Sequence, residues 1–224
     1  MKGLAPQTSE VFEEISRLEC IKPFVLVGGT ALSLQLNLRQ SEDLDFMRWK
    51  QSPKDKLEVG ISNIKHELES IGKIDEMDIG DFNFVEFVIK GVKLSFYAAP
   101  RKQIPSMQVI PYLNNLQLAD IKSIGAMKME AMLRRSKFRD YYDIYSILKQ
   151  GVDFNEMIEL ALEHSGHLLK RKNLLAMLTN GERFRKDKSF LALNPVYDVT
   201  AYDIQEYLKE KLLEIKNGLF TNNL

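Results

Sequence analysis

Apolar and polar positions follow two different rhythms along the chain, and the change falls near residue 112. Before it, short runs with a period of two or none alternate with helical stretches. After it, nearly every apolar residue recurs at steps of three and four. Thr8 or Ser9 is placed to cap a first helix with Val11, Phe12, Ile15 and Leu18 on one face. Phe24 to Val27 is an apolar run closed by Gly28-Gly29, the pattern of a buried strand entering a turn. Thr30 can then cap a helix carrying Ala31, Leu32, Leu34, Gln35 and Leu38. Beyond the Arg39-Gln40-Ser41 loop, Asp43-Leu44-Asp45-Phe46 alternates acid and apolar residues. As a strand it puts Asp43 and Asp45 on one face, Leu44 and Phe46 on the other.

Pro53 suits the start of a helix with Leu57, Ile61, Ile64, Leu68 and Ile71 on its apolar side, ended by Gly72. Strand-type runs follow at Ile74 to Met77, Phe82 to Ile89 and Val92 to Tyr97, and Lys90-Gly91 predicts a tight hairpin between the last two. Pro100, Pro105 and Pro111 mark a loop-rich exit from the sheet. The second half reads as helices. One begins at Asp120 with Ile121, Ile124, Met127 and Ala131 inward, and another spans Asp140 to Lys149. Asp153 with Glu156 opens a third, Leu168 to Leu178 forms a fourth, and Thr200 with Asp203 opens a last one that ends at Gly218. The stretch 182 to 199 lacks a period and reads as a long loop or clasp. The fold class expected is α+β: a mixed sheet flanked by helices over 1–112, then a helical bundle over 113–224.

Composition narrows the classes. The 224 residues are 45% hydrophobic and 28% charged, an ordinary globular balance. Thirty-one basic residues match thirty-one acidic ones, so net charge points to no nucleic-acid partner. The single cysteine, Cys20, excludes an internal disulfide and reads as a small buried filler. No apolar run approaches membrane-spanning length and no signal-peptide pattern opens the chain, so the expected setting is cytoplasmic, with no membrane partner. His66, His164 and His167 have no metal-ligand spacing and are expected at the surface. Tyr141, Tyr142 and Tyr145 read as core and interface rather than as a base-stacking platform.

Chemistry concentrates between Phe24 and Phe46. A glycine pair at a helix start offers backbone N–H groups to phosphates, and two carboxylates one strand later offer hard oxygens to a divalent ion. The stretch GGTALSLQL followed by RQSEDLDF resembles the first motif of the AbiEii/AbiGii-type nucleotidyltransferase toxins, members of the DNA-polymerase-β-like superfamily. DIKSIGAMKMEAMLRRSKFRDYYDIYSIL, from Asp120 to Leu148, is similar to that family's second hallmark: a lysine-bearing helix, a basic turn and an acid-bearing helix start. The resemblance implies a nucleotidyltransferase-like fold in the first half, with the helical half completing the active-site cleft. It implies Asp43 and Asp45 as catalytic metal ligands, with Glu42 a lesser helper, and Mg²⁺, or Mn²⁺ in its place, as the ion. Gly28, Gly29 and Thr30, with Ser33, Arg39 and Ser41, would bind the nucleoside triphosphate. Lys128 would neutralise a phosphate, and Asp140, joined by Asp143, matches a further catalytic motif. The reaction implied is nucleotide transfer from an NTP to an RNA acceptor such as a tRNA 3′ end, in a toxin with a separately encoded antitoxin.

Alternatives attach to several of these residues. Lys128 can serve as a solvated helix position or an ion pair to Asp143 or Glu130, and Asp140 can be a helix cap. The superfamily draws a third carboxylate from a later strand, where this chain has Ser95; Glu86 on the neighbouring strand is the candidate substitute. A member lacking that acid would bind nucleotide or a partner protein without turnover, and nucleotidylation of protein is a further outcome. Basic residues gather at Arg134, Arg135, Lys137 and Arg139, at Lys170 to Lys172, and at Arg183, Arg185, Lys186 and Lys188. They can line an RNA groove or form ordinary solvated faces.

Overall fold

The structure, a computed structural model, describes residues 1–50, 52, 54–100, 107–166, 168–185 and 188–217, and 218–221 by backbone alone. It divides into two compact units, Met1–Asp120 and Ile121–Leu224. The first holds α1 (Pro6–Ser16), β1 (Val25–Val27), α2 (Gly28–Leu36), β2 (Leu44–Trp49), α3 (Ile61–Ile71), β3 (Ile74–Asp81), β4 (Phe84–Ile89), β5 (Val92–Ala99), β6 (Val109–Leu113) and β7 (Leu116–Ala119). Its strands form one seven-stranded sheet in the order β3-β4-β5-β2-β1-β7-β6. The β2–β5 and β1–β7 pairs are parallel and the others antiparallel. The α+β class expected from the sequence is the class observed.

Strand alternation sorts this sheet into two faces. Leu26, Leu44, Phe46, Val85, Phe87, Leu94 and Phe96 are buried on one of them. Phe96 is its aromatic centre, stacked on Phe46 at 4.9 Å and meeting Phe24 and Phe87 edge-on. The opposite face carries Asp45, Ser95 and Glu86. Lys90 and Gly91 both adopt positive φ, the conformation that a two-residue hairpin turn demands, and β4 and β5 pair in register around them.

Some local expectations are corrected. Helix α1 starts at Pro6 with Ala5 as its cap, so neither Thr8 nor Ser9 caps it. Proline there needs no partner for its missing N–H. Helix α3 begins at Ile61, not near Pro53, which lies outside the described residues, and Leu57 precedes the helix. Two tethers keep the preceding segment out of it: Asp55 is gripped by both ends of its carboxylate by Arg48 (2.7 Å each), and Val59 N–H donates to the Phe82 carbonyl (2.9 Å). Pro111, read as a loop marker, lies inside β6. That strand is at the sheet edge, where a missing N–H costs no ladder bond. The β6–β7 hairpin extends the first unit past 112 to Asp120, while Pro105 lies outside the described residues.

The second unit holds α4 (Ile121–Ala131), α5 (Phe138–Lys149), α6 (Phe154–His164), α7 (Arg171–Leu178), a 3₁₀ turn at Gly181–Arg183, α8 (Lys188–Leu191) and α9 (Ala201–Thr221). Asp153 accepts from Glu156 N–H (2.7 Å), and Thr200 and Asp203 cap each other reciprocally, as their spacing predicts. Helix α5 starts at Phe138, α7 only at Arg171, and α9 runs on past Gly218. A Cβ at Gly125 would collide with Met157 Sδ, so glycine lets α4 and α6 approach closely. The aperiodic stretch after Gly181 is a clasp on α5. Phe184 stacks on Tyr141 at 4.3 Å, and Phe190 meets Phe138 and Tyr142 edge-on. Tyr141 and Tyr142 are fully buried, with Tyr141 donating to the Leu178 carbonyl (2.6 Å) and Tyr142 accepting from Tyr197 N–H (3.1 Å), so both belong to the core. Among the described residues no helix is long and apolar enough to cross a membrane.

Candidate active site

Helix α2 follows β1 without an intervening loop. Gly28 makes the turn at φ +69°, a conformation that costs other residues energy, and Val27 rather than Thr30 holds the cap position. Gly28 and Gly29 are half-buried, and the first N–H groups of a helix have no partner within it. A Cβ on Gly28 would stand 2.6 Å from Asp45 Oδ2, so the carboxylate lies directly against the start of α2. A Cβ on Gly29 would stand 2.6 Å from a guanidinium nitrogen of Arg39 and 3.1 Å from Ser41 Oγ. The glycine pair is therefore fixed by two close approaches, one to an acid and one to a base.

The loop bearing the acids is held from both sides. Thr30 Oγ1 donates to the Asp43 carbonyl and lies 2.9 Å from Ser41 Oγ. On the other side, residues 3–8 form a strap. Ser41 N–H donates to Gly3 O (3.0 Å), Ala5 N–H donates to Ser41 O (2.9 Å), and Thr8 Oγ1 donates to Glu42 O (2.6 Å). Thr30, Ser33, Arg39 and Ser41 are all buried, whereas Asp43 and Asp45 are half-buried and the Glu42 side chain is exposed. Thr30, Arg39 and Ser41 thus shape the backbone around the acids, with Asp43 immediately before β2 and Asp45 within it.

Sheet register puts Glu86 and Ser95 side by side. Asp45 pairs with Ser95, Ser95 with Glu86, and Glu86 with Asp78, so these side chains share one face. Ser95 Oγ donates to Glu86 Oε1 (3.0 Å), and Lys93 Nζ lies 3.1 Å from the same oxygen. Burial lowers the Lys93 pKa, but Glu86 together with the charges of Asp43 and Asp45 more than offsets this and raises it. Lys93 shares the sheet face of Asp45 and Ser95 by strand alternation, and the negative charges of Asp43 and Asp45 favour its ammonium form. Among the described residues no group of three His, Cys, Asp or Glu side chains is arranged to hold a metal. A two-carboxylate set still suits Mg²⁺, which keeps waters and takes further oxygens from a bound phosphate.

In the second unit, Lys128 of α4 is sealed between Asp140 Oδ1 (2.7 Å) and Asp143 Oδ2 (2.8 Å), successive acids on one face of α5. Arg135 completes the knot with two bonds to Asp140, at 2.7 and 3.0 Å. Asp140 lies three positions into the helix; Lys137 is the cap. Burial pushes the Asp140 carboxyl up, but Lys128 and Arg135 outweigh it and hold the group well below the usual carboxylate range. Arg139 is half-buried. Of the other basic residues, Arg134 pairs with Glu130, Arg171 with Glu159, and Arg183 reaches the Met132 carbonyl. Lys137, Lys170, Lys172, Arg185 and Lys188 are exposed, while Lys186 lies outside the described residues.

The histidine expectation holds only for His66, which is exposed. His164 is largely buried, with Nδ1 3.8 Å from Glu130 Oε2. His167 lies outside the described residues. Cys20 is buried as expected, and desolvation reinforced by Glu67 pushes its thiol up to about 12, the behaviour of an inert thiol. The strap over Ser41 joins residues far apart in sequence, and Gly3, at φ +81° with its Cβ position against the Ser33 carbonyl, is what lets it pass so close.

A mixed sheet with a glycine-turned helix and an Asp-x-Asp strand defines a nucleotidyltransferase fold, and comparison with known proteins bears this out. A crystal structure from H. pylori of a protein proposed to be a nucleotidyltransferase superposes with a TM-score of 0.57 at 18% identity, covering 97% of this chain and 98% of that one. The family described as "Nucleotidyl transferase AbiEii toxin, Type IV TA system" matches residues 11–210. The chain belongs to that AbiEii family. It is also 25% identical over 222 residues to an uncharacterized protein of Aquifex aeolicus (strain VF5), spanning 96% of this chain and 98% of the relative.

Gly28→Ala tests the glycine turn. Backbone strain at positive φ should cost about 1–2 kcal/mol of stability, read in thermal melts. The displaced Asp45 carboxylate should also weaken divalent-ion binding, measured by calorimetry. Unchanged binding would separate the glycine from the acid.

Proposed function

We propose that the protein transfers a nucleotide from a metal-bound NTP to an RNA acceptor as the toxin of a toxin–antitoxin pair. The observation that carries this reading is the Asp45 carboxylate seated against the Gly28 start of α2, with Asp43 two residues before it. A triphosphate tail fits the N–H groups at Gly28 and Gly29. Asp43 and Asp45 would hold Mg²⁺, or Mn²⁺ in its place, and the bound ion supplies Lewis-acid polarisation of the phosphates. Thr30, Ser41 and Arg39 keep the acid loop against the helix, so the two carboxylates meet the nucleotide with little reorganisation. Glu86, bonded to Ser95 beside Asp45, is the group we assign to accept the proton of the attacking hydroxyl. Lys128 and Asp140 are assigned supporting roles in the same reaction. The antitoxin belongs to this reading through the family's toxin–antitoxin character.

The experiment is incubation of purified protein with Mg²⁺, each α-labelled NTP in turn and a total RNA pool. Label should appear in RNA and vanish on chelation. Label in protein bands instead would replace RNA with a protein acceptor. A second reading has its own observation: Ser95 stands where the superfamily has an acid. In that reading Mg²⁺–NTP binds by calorimetry but no acceptor is labelled. Labelling by the wild-type protein decides between them, and where label appears Glu86→Gln should cut it by about 10²-fold, a usual general-base contribution, while leaving NTP affinity intact.

A further inference from the structure

The two edges of the sheet are finished differently. At one edge, β6 carries Pro111, which cannot offer a backbone N–H to an incoming strand. At the other, β3 runs for eight residues, IDEMDIGD, without proline, lysine or arginine, and every residue from Asp75 to Asp81 is exposed. Register shifts bracket a regular centre, Glu76 to Ile79, which pairs residue for residue with β4. In that centre Met77 and Ile79 share the face of Phe87 and Val85, yet they are 40% and 52% exposed, and Phe82 at the following turn is 78% exposed. Glu76 and Asp78 occupy the other face. A groove of about 400 Å³ runs beside the strand, between Lys65 and Glu69 of α3 and Ile74 to Met77.

We propose that β3 is a docking edge for an extended, basic segment of a partner protein, which adds to the sheet as an eighth strand. Backbone ladder bonds supply affinity in such additions, and alternate side chains supply selectivity. The side chains here specify the segment. Opposite Glu76 and Asp78 it needs Lys or Arg, and opposite Met77 and Ile79 it needs apolar residues, in strict alternation. Charge disfavours β3 of a second copy of this chain as occupant. β3 carries Asp75, Glu76, Asp78 and Asp81 and no base, so pairing with itself would set like charges against each other. The same acids disfavour RNA phosphate at this edge. Because β3, β4 and β5 separate the added strand from β2, a docked segment would lie roughly 19 Å from the Asp45 strand, at four strand spacings, leaving the acid pair accessible.

The test uses the full chain and four synthetic twelve-residue peptides: one alternating Lys and Val, one alternating Glu and Val, the Lys/Val peptide with alternate amides N-methylated along one edge, and the same peptide methylated along the other edge. The Lys/Val peptide should bind saturably, measured by fluorescence anisotropy, and slow hydrogen exchange in β3. The Glu/Val peptide should not bind. One of the methylated peptides, which keep the charge but block ladder bonds along one edge, should lose binding. Glu76→Lys with Asp78→Lys, both at exposed positions, should weaken the Lys/Val peptide by about tenfold and create binding to the Glu/Val peptide. Binding equal for both methylated peptides and the parent would reduce the effect to nonspecific charge attraction and overturn the proposal. So would unchanged β3 exchange, or self-association in sedimentation that the double substitution abolishes.

Discussion

Asp45→Asn is expected to slow nucleotidyl transfer by roughly three orders of magnitude, about 4 kcal/mol of transition-state stabilisation, with the fold intact. Asparagine keeps the shape that fits against Gly28 but removes the charge that a divalent ion requires. Asp45 is half-buried, so the substitution strands no charge, and the melting temperature should move by only a few degrees. Asp43→Asn should act in the same direction. The double variant should fall no further than background, because the two acids work as one ligand set. Initial rates with α-labelled NTP at fixed Mg²⁺, set beside thermal melts, provide the measurement. A folded Asp45→Asn protein with wild-type rates would remove the acid pair from the chemistry.

Asp140→Ala should have the largest effect on stability. It leaves Lys128 buried with Asp143 alone and takes both bonds from Arg135. Removing one partner of a buried ion cluster typically costs about 3–5 kcal/mol. Arg135→Ala should cost about 1 kcal/mol or less, because the Arg135 side chain is 45% exposed and its pairing is screened. Denaturant unfolding of both variants checks the contrast, and equal losses would mean that the buried lysine is not what holds the knot together. The pH dependence has a defined sign. The folded-state carboxyl of Asp140 is held below its unfolded value, so its contribution is complete above the ordinary carboxylate range, near pH 4, and drains away as pH falls below it. Wild type should lose stability there more steeply than Asp140→Asn. Activity of Lys128 variants has to be normalised to the folded fraction for the same reason.

Local signals carried much of this fold. The Asp153–Glu156 and Thr200–Asp203 boxes and the Lys90-Gly91 turn depend on residues within a few positions, and each stands where its spacing put it. Errors arose where a distant contact overrode a local preference. Pro53 is a good helix start, but the Arg48–Asp55 pair and the Val59–Phe82 bond hold the following segment outside α3. Thr30 has a capping side chain, but Gly28 had already begun the helix, so its hydroxyl was left to bind the acid loop. Pro111 reads as a strand breaker until its strand proves to be an edge. The candidate site divides the same way. Asp43, Asp45 and the glycine pair are neighbours in sequence and were legible together. The position of Glu86 beside Ser95 depends on register across two strand pairs, which alternation alone does not fix.

The strand order also sets a timetable. Asp43 and Asp45 leave the ribosome early, yet β2 is flanked on one side by β1 and on the other by β5, which begins only at Val92. β1 in turn waits for β7, which ends at Ala119. A nascent chain halted before Val92 would carry Asp45 on a strand with an open side, with Asp43 just before it, and would lack Ser95 and the strand that sets Glu86 beside Asp45. Synthesis of nearly the whole first unit must therefore precede a finished acid pair, and truncated products of this toxin family member should be chemically silent.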